Sequence, residues 1–592
     1  MTSKIFYLKL LRDMIKRRIW YGAGIFLLLF ISMPLAAMLS LKSETELYYY
    51  SFMDLNYELE QQKFQLVEWV SGGNAFLVCL IIGIALLGAW TGLSWFHSRK
   101  KMDLYGSLPV RREILFGIES ISTTILFVVP YICNMFLTLL VGMTKGLFTW
   151  RALKQGIYGI GVYLLGFWAI YLCAAIAMLL TGKIITGILG TMVFLVIGPL
   201  MYWLLAALPD IFFDTYVSHS LALEFLLPYL SPAGSFINQV IKISSYLSIP
   251  NDFDWIPSVV LVFTVVLELA ISVWLVRIRP AEGAEQSMVF PKTEGLIKAM
   301  ILYPMGIGGG IFFWEIGSSR GADGWFWFGI VFVMAIVSIL IEIIYHYDRK
   351  RLFEHKWSSG IALIAVLITG AIFKLDIFKY DQWIPDREDV ENATMFYRYY
   401  WGEYPDDITN SEEYLLAHLD ELQGDCVFEL AEEGIANLEW KEAAENGDAE
   451  ARERWENQQI TYLTIVYKMK DGSVKQRWYR VSVESADAAE KELYQEQIFK
   501  EAHLPILFEE DGTCQFSEIN GIALDYLTKS EMIELANIYK EELRALDYEQ
   551  IHAEDSREVT ICRLTGEWLG GDYLLNENFV KTNAYLESVK KK

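Results

Sequence analysis

The sequence has 592 residues, of which 54% are hydrophobic, and a formal net charge of −23. A chain this long and this apolar is not a single soluble domain. The charge is unevenly distributed, because residues 1–380 sum to +4 and residues 381–592 sum to −27. The acidic C-terminal part repels nucleic acid and anionic lipid headgroups, so neither is expected as its ligand.

The first 19 residues predict an amphipathic helix that lies in the inner membrane surface. At helical spacing, apolar residues fall on one side and charged residues on the other, namely Lys9, Arg12, Asp13 and Lys16. A cleaved signal peptide is the competing interpretation. The repeated return of the chain to the membrane disfavours cleavage.

Nine apolar stretches are long enough to cross a bilayer as helices. They cover residues 20–41, 74–96, 118–143, 156–181, 184–207, 256–276, 298–315, 325–345 and 358–377. With the N-terminus inside, the inner segments hold 19 Lys and Arg residues and the outer loops hold seven. This bias predicts a plasma membrane protein whose N-terminus is cytoplasmic and whose C-terminal part is outside.

Two parts of this membrane region depart from a plain helix pattern. The seventh stretch is the weakest, because it contains Gly306, Gly308, Gly309 and Gly310. Without it the C-terminal part would move inside. Between the fifth and sixth stretches, the apolar segments Leu221–Leu230 and Phe236–Leu247 are too short to span and predict re-entrant or interfacial helices.

Residues 378–592 are long enough to form a domain of their own. The pattern predicts helices over 411–422, 437–455, 486–502 and 529–546, and strands over 460–468 and 474–484. Lys470–Asp471–Gly472–Ser473 joins the strands as a hairpin turn. The fold class is therefore a polytopic α-helical membrane protein with a C-terminal acidic α+β domain. Its cysteines, Cys426, Cys514 and Cys562, permit at most one disulfide, and the sequence does not select it.

The basic loop of residues 99–113 separates the second and third apolar stretches. Ser107 is expected to cap the helix that follows, with Pro109 in its first turn. One interpretation is a topology signal alone. The sharper hypothesis is a docking element for a cytoplasmic partner.

Two carboxylates inside apolar stretches, Glu268 and Glu342, are candidates for a transport path or a gate. An ionised carboxylate in hydrocarbon is costly, so each is expected to face a cavity or a partner, with Arg349 as the partner of Glu342. The alternatives are a packing hydrogen bond or a protonated acid.

Motifs for chemistry within this chain are few. No GxxxxGK[ST] phosphate loop occurs, so the chain is not expected to bind ATP in that manner. Residues 317–321 fit GxSxG but lie in a short loop between apolar stretches, where a turn is expected. No Cys and His spacing indicates a metal site.

Asp103–Leu104–Tyr105–Gly106–Ser107–Leu108–Pro109–Val110–Arg111–Arg112–Glu113 resembles the first cytoplasmic loop of bacterial ABC-2 type permeases. Leu179–Lys183 resembles that family's short second inner turn, and Tyr229–Pro232 its outer hairpin. The resemblance implies a six-helix core over residues 20–277, with residues 278–377 as three additional helices. Residues 466–473 and 477–481 resemble a C-terminal domain of unassigned role on some Gram-positive permeases.

The same resemblance implies function. The loop would be a coupling helix that docks on a separate ATPase, with Ser107, Leu108, Pro109, Arg111 and Arg112 as the docking residues. ATP and magnesium would be bound by that partner and no cofactor by this chain, which would not itself be an enzyme. A second permease, identical or paralogous, would complete the exporter in the lipid membrane. Lipidic or drug-like substrates are implied, and the acidic outer domain suggests a cationic peptide.

Two alternatives belong to other classes. One is a membrane glycosyl- or phospho-transferase using the acidic residues of the first outer loop, which are Glu44, Glu46, Asp54, Glu58 and Glu60. The other is a sensor whose outer domain captures a ligand and whose helices signal to an ATPase or kinase. The sequence leaves the substrate and the direction of transport open.

Overall fold

The structure is a computed structural model. It describes residues 3–43, 55–217, 224–248, 255–317, 322–346, 356–397 and 415–590, apart from 417, 423, 446, 508, 525, 554, 565–567 and 570–572. The chain forms two compact units. Unit 1 comprises residues 1–207 and 222–371, and unit 2 comprises residues 208–221 and 372–592.

Unit 1 is built from α-helices. In chain order they are α1 (Ser3–Arg17), α2 (Ile19–Phe30), α3 (Ala36–Ser40), α4 (Leu55–Ser71), α5 (Ala75–Gly92), α6 (Arg99–Gly106), α7 (Arg112–Thr144), α8 (Trp150–Leu180), α9 (Ile184–Phe212), α10 (Pro232–Ser248), α11 (Ile256–Ile278), α12 (Pro291–Gly317), α13 (Ala322–His346) and α14 (Lys356–Lys374). A π-helical turn, Ile31–Leu35, joins α2 to α3 around Pro34, whose ring and missing N–H disturb regular α-helical bonding. A 3-10 turn, Leu93–His97, extends α5.

Nine helical segments in the described part of the chain are long and apolar enough to cross a membrane. They are Ile19–Ser40, Leu59–His97, Arg112–Thr144, Trp150–Leu180, Ile184–Phe212, Ile256–Ile278, Thr293–Gly317, Gly324–Ile344 and Trp357–Lys374. They coincide with the nine predicted stretches, which confirms a polytopic helical protein suited to a membrane. The orientation of the termini stays a prediction.

Helix α8 is the most buried of these segments, with 78% of its apolar window inside the fold. Small side chains such as Ala169, Ala174 and Ala175 are fully buried along it, which lets neighbouring helices approach closely. The rings of Phe127 on α7 and Phe167 on α8 stack with their centroids 4.5 Å apart. Helix α8 therefore forms the centre of the core of unit 1.

The glycine-rich seventh stretch is helical, as α12, and Gly306, Gly309 and Gly310 within it face α13. A Cβ added to Gly309 would lie 2.9 Å from the carbonyl oxygen of Gly329, and a Cβ on Gly329 would overlap the carbonyl oxygen of Gly309. Close packing against α13 thus compensates for the low helix propensity of glycine.

The segment between α9 and α11 contains two helices within its described residues, over 224–230 and 232–248. A 3-10 helix, Glu224–Leu230, precedes α10. They overlap the two short apolar segments predicted there, of which residues 221–223 lie outside the described residues. Whether they lie at a membrane interface stays a prediction.

Unit 2 contains two antiparallel sheets. Strands β1 (Val390–Tyr397), β2 (Ile460–Met469) and β3 (Val474–Ser482) form the first sheet in that order. The second sheet has the order β5-β4-β6-β7, with β8 also paired to β6, and its strands are β4 (Cys514–Ile519), β5 (Ile522–Ala523), β6 (Arg557–Arg563), β7 (Trp568–Leu569) and β8 (Leu574–Leu575). The helices are α15 (Val427–Glu445), α16 (Ala449–Asn457), α17 (Val483–Leu493), α18 (Gln497–His503), α19 (Lys529–Ala545), α20 (Tyr548–Ile551) and α21 (Val580–Lys590).

The predicted hairpin of unit 2 is confirmed, since β2 and β3 pair antiparallel from Ile460↔Ser482 to Lys468↔Val474. Gly472 takes the positive φ of 83° that its turn requires. The helix predicted over 529–546 is also confirmed. The helix predicted over 437–455 was wrong in its continuity, because Gly447 has a φ of 97° and Asp448 caps a new helix.

Two other predicted helices of this region differ in the structure. The stretch 486–502 forms two helices, α17 and α18, separated by a turn at residues 494–496. The stretch 411–422 lies partly outside the described residues, and a 3-10 turn, Leu419–Glu421, is what the structure has near its end. All three cysteines of unit 2 are free thiols.

The domain boundary predicted at residue 378 was incomplete, because residues 208–217 pack within unit 2. The Asp214 carboxylate accepts hydrogen bonds from Lys441 at 2.8 Å and from Arg480 at 3.4 Å. The Asp381 carboxylate accepts from the Thr215 hydroxyl at 2.7 Å and from the backbone N–H of both Asp214 and Thr215. Burial raises the pKa of Asp381 above its usual range even though these donors favour its ionised form.

Candidate docking site

The basic loop begins as a short helix, α6, and ends in an irregular turn before α7. The Ser107 hydroxyl donates to the Leu104 carbonyl at 2.7 Å, and Ser107 is the C-cap of α6. The expectation that Ser107 caps the following helix was wrong. Helix α7 begins only at Arg112, because Leu108–Arg111 form the turn that reverses the chain.

One side of this loop is anchored in the fold. Leu108, Val110 and Tyr105 pack against a small apolar cluster formed by Met14, Leu115 and Ile118. Since Met14 lies on α1, the apolar side of the amphipathic N-terminal helix supports the loop. The loop is therefore held in place by packing against α1 and α7.

The opposite side of the loop is exposed. Leu104 is 60% exposed, and Ser107, Pro109 and Arg111 are also exposed. This combination of an apolar side chain, a proline-rigidified turn and a cation is suited to contact with another protein. Of the predicted docking residues, Leu108 is partly buried toward the fold.

A second segment, which follows α11, is tied to the basic loop by polar contacts. Arg112 donates to the Arg279 carbonyl at 2.9 Å, and Arg277 pairs with Glu113 at 3.0 Å. At the other end of the loop, Arg99 lies 3.4 Å from the Glu285 carboxylate. Arg112 thus contributes to holding this junction together.

Arg279 is the central residue of that junction and is only 2% exposed. Its guanidinium donates to the carbonyls of Phe96 at 3.0 Å, Thr181 at 2.9 Å and Met178 at 3.2 Å, and also to Leu179. These carbonyls end α8 and the 93–97 turn, where helices have unpaired acceptors and a negative dipole end. One cation therefore fastens the ends of three chain segments.

The short turn at residues 181–183 pairs with the same segment as a small antiparallel bridge. Thr181 bridges Met288, and the N–H of Val289 donates to the Leu180 carbonyl at 2.9 Å. A side chain on Gly182 would overlap the carbonyl oxygens of Gly283 and Gln286. Glycine is required here by the close approach of backbone.

We call the assembly of residues 99–113, 181–183 and 277–290 the platform, and the end of unit 1 where it lies the basic end. Sequence reasoning found the first two segments but missed the third. The missed signal was Arg279–Pro280 directly after an apolar stretch, since a buried arginine at a helix end seeks backbone carbonyls.

Glu342 was predicted to pair with Arg349, which lies outside the described residues. In the structure the Lys298 ammonium group on α12 lies 2.8 Å from the Glu342 carboxylate on α13, with both side chains essentially unexposed. The sequence interpretation overlooked Lys298 because that residue is the first position of the seventh apolar stretch, residues 298–315. This pair joins α12 to α13, two of the three additional helices in residues 278–377.

Glu268 lies on α11, is 8% exposed, and faces the core. Among the described residues, its Oε2 atom has no hydrogen-bond partner, and the same holds for the hydroxyl of Ser272 one turn away. These two buried polar groups lie on one face of the helix. A proton on the carboxylate, or a polar group of a ligand, would supply the hydrogen bonds that they lack in the described structure.

A third intramembrane carboxylate, Glu119, was missed by the sequence interpretation. It forms an ion pair with Arg18, whose guanidinium also donates to the hydroxyls of Ser122 at 2.7 Å and Thr123 at 2.9 Å. The signal was an acid one residue inside the third apolar stretch. This network holds the start of α2 against α7.

The residues invoked for a transferase are only partly described. Glu44, Glu46 and Asp54 lie outside the described residues, as do residues 318–321 of the GxSxG pattern. Glu60 pairs with Lys63 at 2.8 Å on α4. Helix α4 thus occupies part of what was taken as an acidic loop.

Comparisons with known proteins bear on unit 2 alone. Residues 467–571 match a family described as a domain of unknown function, DUF6449. No curated protein and no solved structure matches the chain. The matched segment begins near the end of β2 and therefore includes the hairpin turn and the whole of β3.

Proposed function

We propose that this chain is the membrane-spanning permease subunit of an ABC exporter, driven by a separate cytoplasmic ATPase that docks on residues 99–113. The observation that carries the proposal is the two-sided character of this loop. Leu104, Ser107, Pro109 and Arg111 are exposed on one side, and the other side is fastened to the fold.

The junction behind the loop supports a mechanical role. Arg112 contacts the Arg279 carbonyl, and Arg279 in turn holds the ends of α8 and of the 93–97 turn. A displacement of the loop by a closing ATPase would therefore be passed to several helices together. A contiguous hydrogen-bonded network is the kind of element that carries such coupling.

The polar site at Glu268 supports a transport path in the same core. A buried carboxylate without a partner in the described structure costs free energy unless it is protonated or bound. In this proposal Glu268 and Ser272 are where the moving substrate, or a proton, contacts α11. Lipidic or drug-like molecules are the proposed substrates, and a cationic peptide is the narrower possibility raised by the acidic unit 2. A second permease, identical or paralogous, would complete the pathway.

The test is a mild-detergent purification of the tagged full chain followed by mass spectrometry of the proteins that accompany it. We expect a stoichiometric P-loop ATPase. We expect the double variant Leu104→Glu with Arg111→Glu to lose it, because both side chains are exposed and their replacement leaves packing intact.

The matched control is Lys154→Glu, a charge reversal at an exposed position near the start of α8. It should retain the ATPase, and the melting temperatures of all three proteins should agree. Equal recovery of the ATPase with the double variant, or purification without any P-loop ATPase, would overturn the proposal.

A further inference from the structure

A partly open apolar cavity of about 290 Å³ lies in unit 1, between the basic ends of α8, α9, α12 and α13. It is lined by Ala177, Leu180, Thr181, Thr186, Leu189, Gly190, Met192, Val193, Phe194, Met288, Ile297, Ile301, Ile341 and Ile344. Apart from two threonines, these residues carry no polar side-chain atom other than sulfur. The cavity shares Thr181 and Met288 with the platform, but its lining includes neither Glu268 nor any residue of the basic loop.

The cavity runs along the membrane-crossing direction. From Thr186 to Phe194 the lining follows α9 over nine residues, which is a rise of about 12 Å along the helix. Leu189 and Met192, on the same helix, are each 43% exposed on the outer surface of unit 1. In a bilayer that surface is bathed by lipid chains, so lipid is the medium from which the cavity would fill.

One end of the cavity carries a polar group that lacks a partner. Thr186 is 6% exposed, and its hydroxyl has no hydrogen-bond partner among the residues that the structure describes. The other lining threonine, Thr181, donates to the Ala177 carbonyl at 2.9 Å. Burying a hydroxyl without a hydrogen-bond partner costs free energy. An acceptor atom of a bound ligand would remove this cost for Thr186.

We propose that this cavity binds one acyl chain of a membrane phospholipid, whose ester carbonyl accepts a hydrogen bond from the Thr186 hydroxyl. An apolar cavity of about 150 Å³ takes up one benzene ring, so about 290 Å³ holds an aliphatic chain on the order of ten carbons. None of the described residues that line the cavity is a cation, so a neutral ester fits it better than the carboxylate of a free fatty acid.

The position of Thr186 sets the depth of the lipid. It lies in the first turn of α9, beside the platform, where Thr181 bridges Met288. Both Thr181 and Met288 line the cavity. The ester group thus lies at the membrane boundary of the basic end, and the chain runs inward between the core and the additional helices.

The experiment uses the full chain in lipid nanodiscs that contain a phosphatidylglycerol with a photoactivatable diazirine in one acyl chain. After irradiation, the labelled peptides are identified by mass spectrometry. We expect labelling of the peptides that contain Met192 and Ile301. A parallel sample contains a diazirine fatty acid in place of the phospholipid.

Two variants test the geometry. Gly190→Leu places a side chain in the cavity, since a Cβ there would meet only Ala177 at 3.6 Å. It should lower labelling by about tenfold, because several methylene groups lose their space. Thr186→Val should lower labelling about two- to tenfold through loss of one hydrogen bond, and Thr186→Ser should restore it.

The matched control is Gly161→Leu, an exposed glycine of α8 whose added Cβ would meet nothing within 4 Å. It should label like the unaltered protein, and its melting temperature shows whether a leucine in a membrane helix is tolerated. Unchanged labelling in a folded Gly190→Leu variant would overturn the site. Labelling by the fatty acid alone would overturn the assignment to a phospholipid.

Discussion

Two buried carboxylates of unit 1, Glu342 and Glu268, look alike in the sequence and differ in the structure. Glu342 on α13 is unexposed and has the Lys298 ammonium group at 2.8 Å. Glu268 on α11 is 8% exposed, and its Oε2 atom has no hydrogen-bond partner within the described structure. The same residue type at the same kind of depth thus occurs once as half of an ion pair and once without one.

The difference separates a structural charge from a functional candidate. A paired charge in a low-dielectric interior is stable only in one geometry, so Lys298 and Glu342 fix α12 against α13. A carboxylate without a partner is free to exchange a proton or contact a ligand. The additional helices therefore contain a fixed ion pair, and the core contains the carboxylate that the proposed exporter would use.

The largest effect is expected from removing one partner of the Lys298–Glu342 ion pair. Glu342→Ala should destabilise the protein by about 3–5 kcal/mol, because the Lys298 ammonium would remain buried without its counter-charge. Thermal unfolding in detergent measures this. The double variant Lys298→Met with Glu342→Met should recover most of the loss, and a double variant as unstable as the single would contradict the assigned pairing.

A second buried charge, Arg279, lies at the basic end, and the exposed Arg277 nearby serves as its control. Arg279→Met should cost about 3 kcal/mol, because several helix-end carbonyls lose their buried charged donor. Arg277→Met should cost under about 1 kcal/mol, since that side chain is 62% exposed and its pair with Glu113 is screened by solvent. Similar unfolding temperatures for both variants would show that Arg279 does not hold the junction.

The third prediction concerns the unpaired carboxylate. Glu268→Gln should change the unfolding free energy by less than about 1 kcal/mol, since no partner in the described residues loses a bond. In the proposed exporter, the ATP hydrolysis of the purified complex should fall by about tenfold. A stability loss as large as that of Glu342→Ala would make Glu268 a structural residue instead.

The smallest expected effect concerns unit 2, where burial favours the neutral thiol form of two cysteines. Burial raises the pKa of the Cys514 thiol, and burial raises the pKa of Cys426 to about 12. Each thiolate fraction near neutral pH is therefore below that of an exposed cysteine, and alkylation should be slow. Mass spectrometry of maleimide-treated protein, folded and in urea, measures the rates. Equally fast labelling in both conditions would contradict the burial.

Sequence reasoning recovered the elements that depend on local pattern. The nine apolar stretches, the hairpin around Gly472 and the helix at 529–545 were predictable because hydropathy and turn chemistry are short-range properties. Strands β4 and β5 were missed, although Asn520–Gly521 between them is a hairpin signal, with φ values of 50° and 70°. Strand β5 has only two residues, which is too short to show alternation.

The sequence by itself determined where the segments long enough to cross a membrane, the basic loop, Glu268 and Glu342 lie, because each is visible as a local departure in hydropathy or charge. Only the tertiary structure decided which polar and charged groups pair with one another. It brought Lys298 to Glu342 across 44 positions and Arg279 to Phe96 across 183. It also left the Thr186 hydroxyl beside an apolar cavity. Pairing between distant segments depends on how helices pack, and packing is set by shapes that no single stretch of sequence contains.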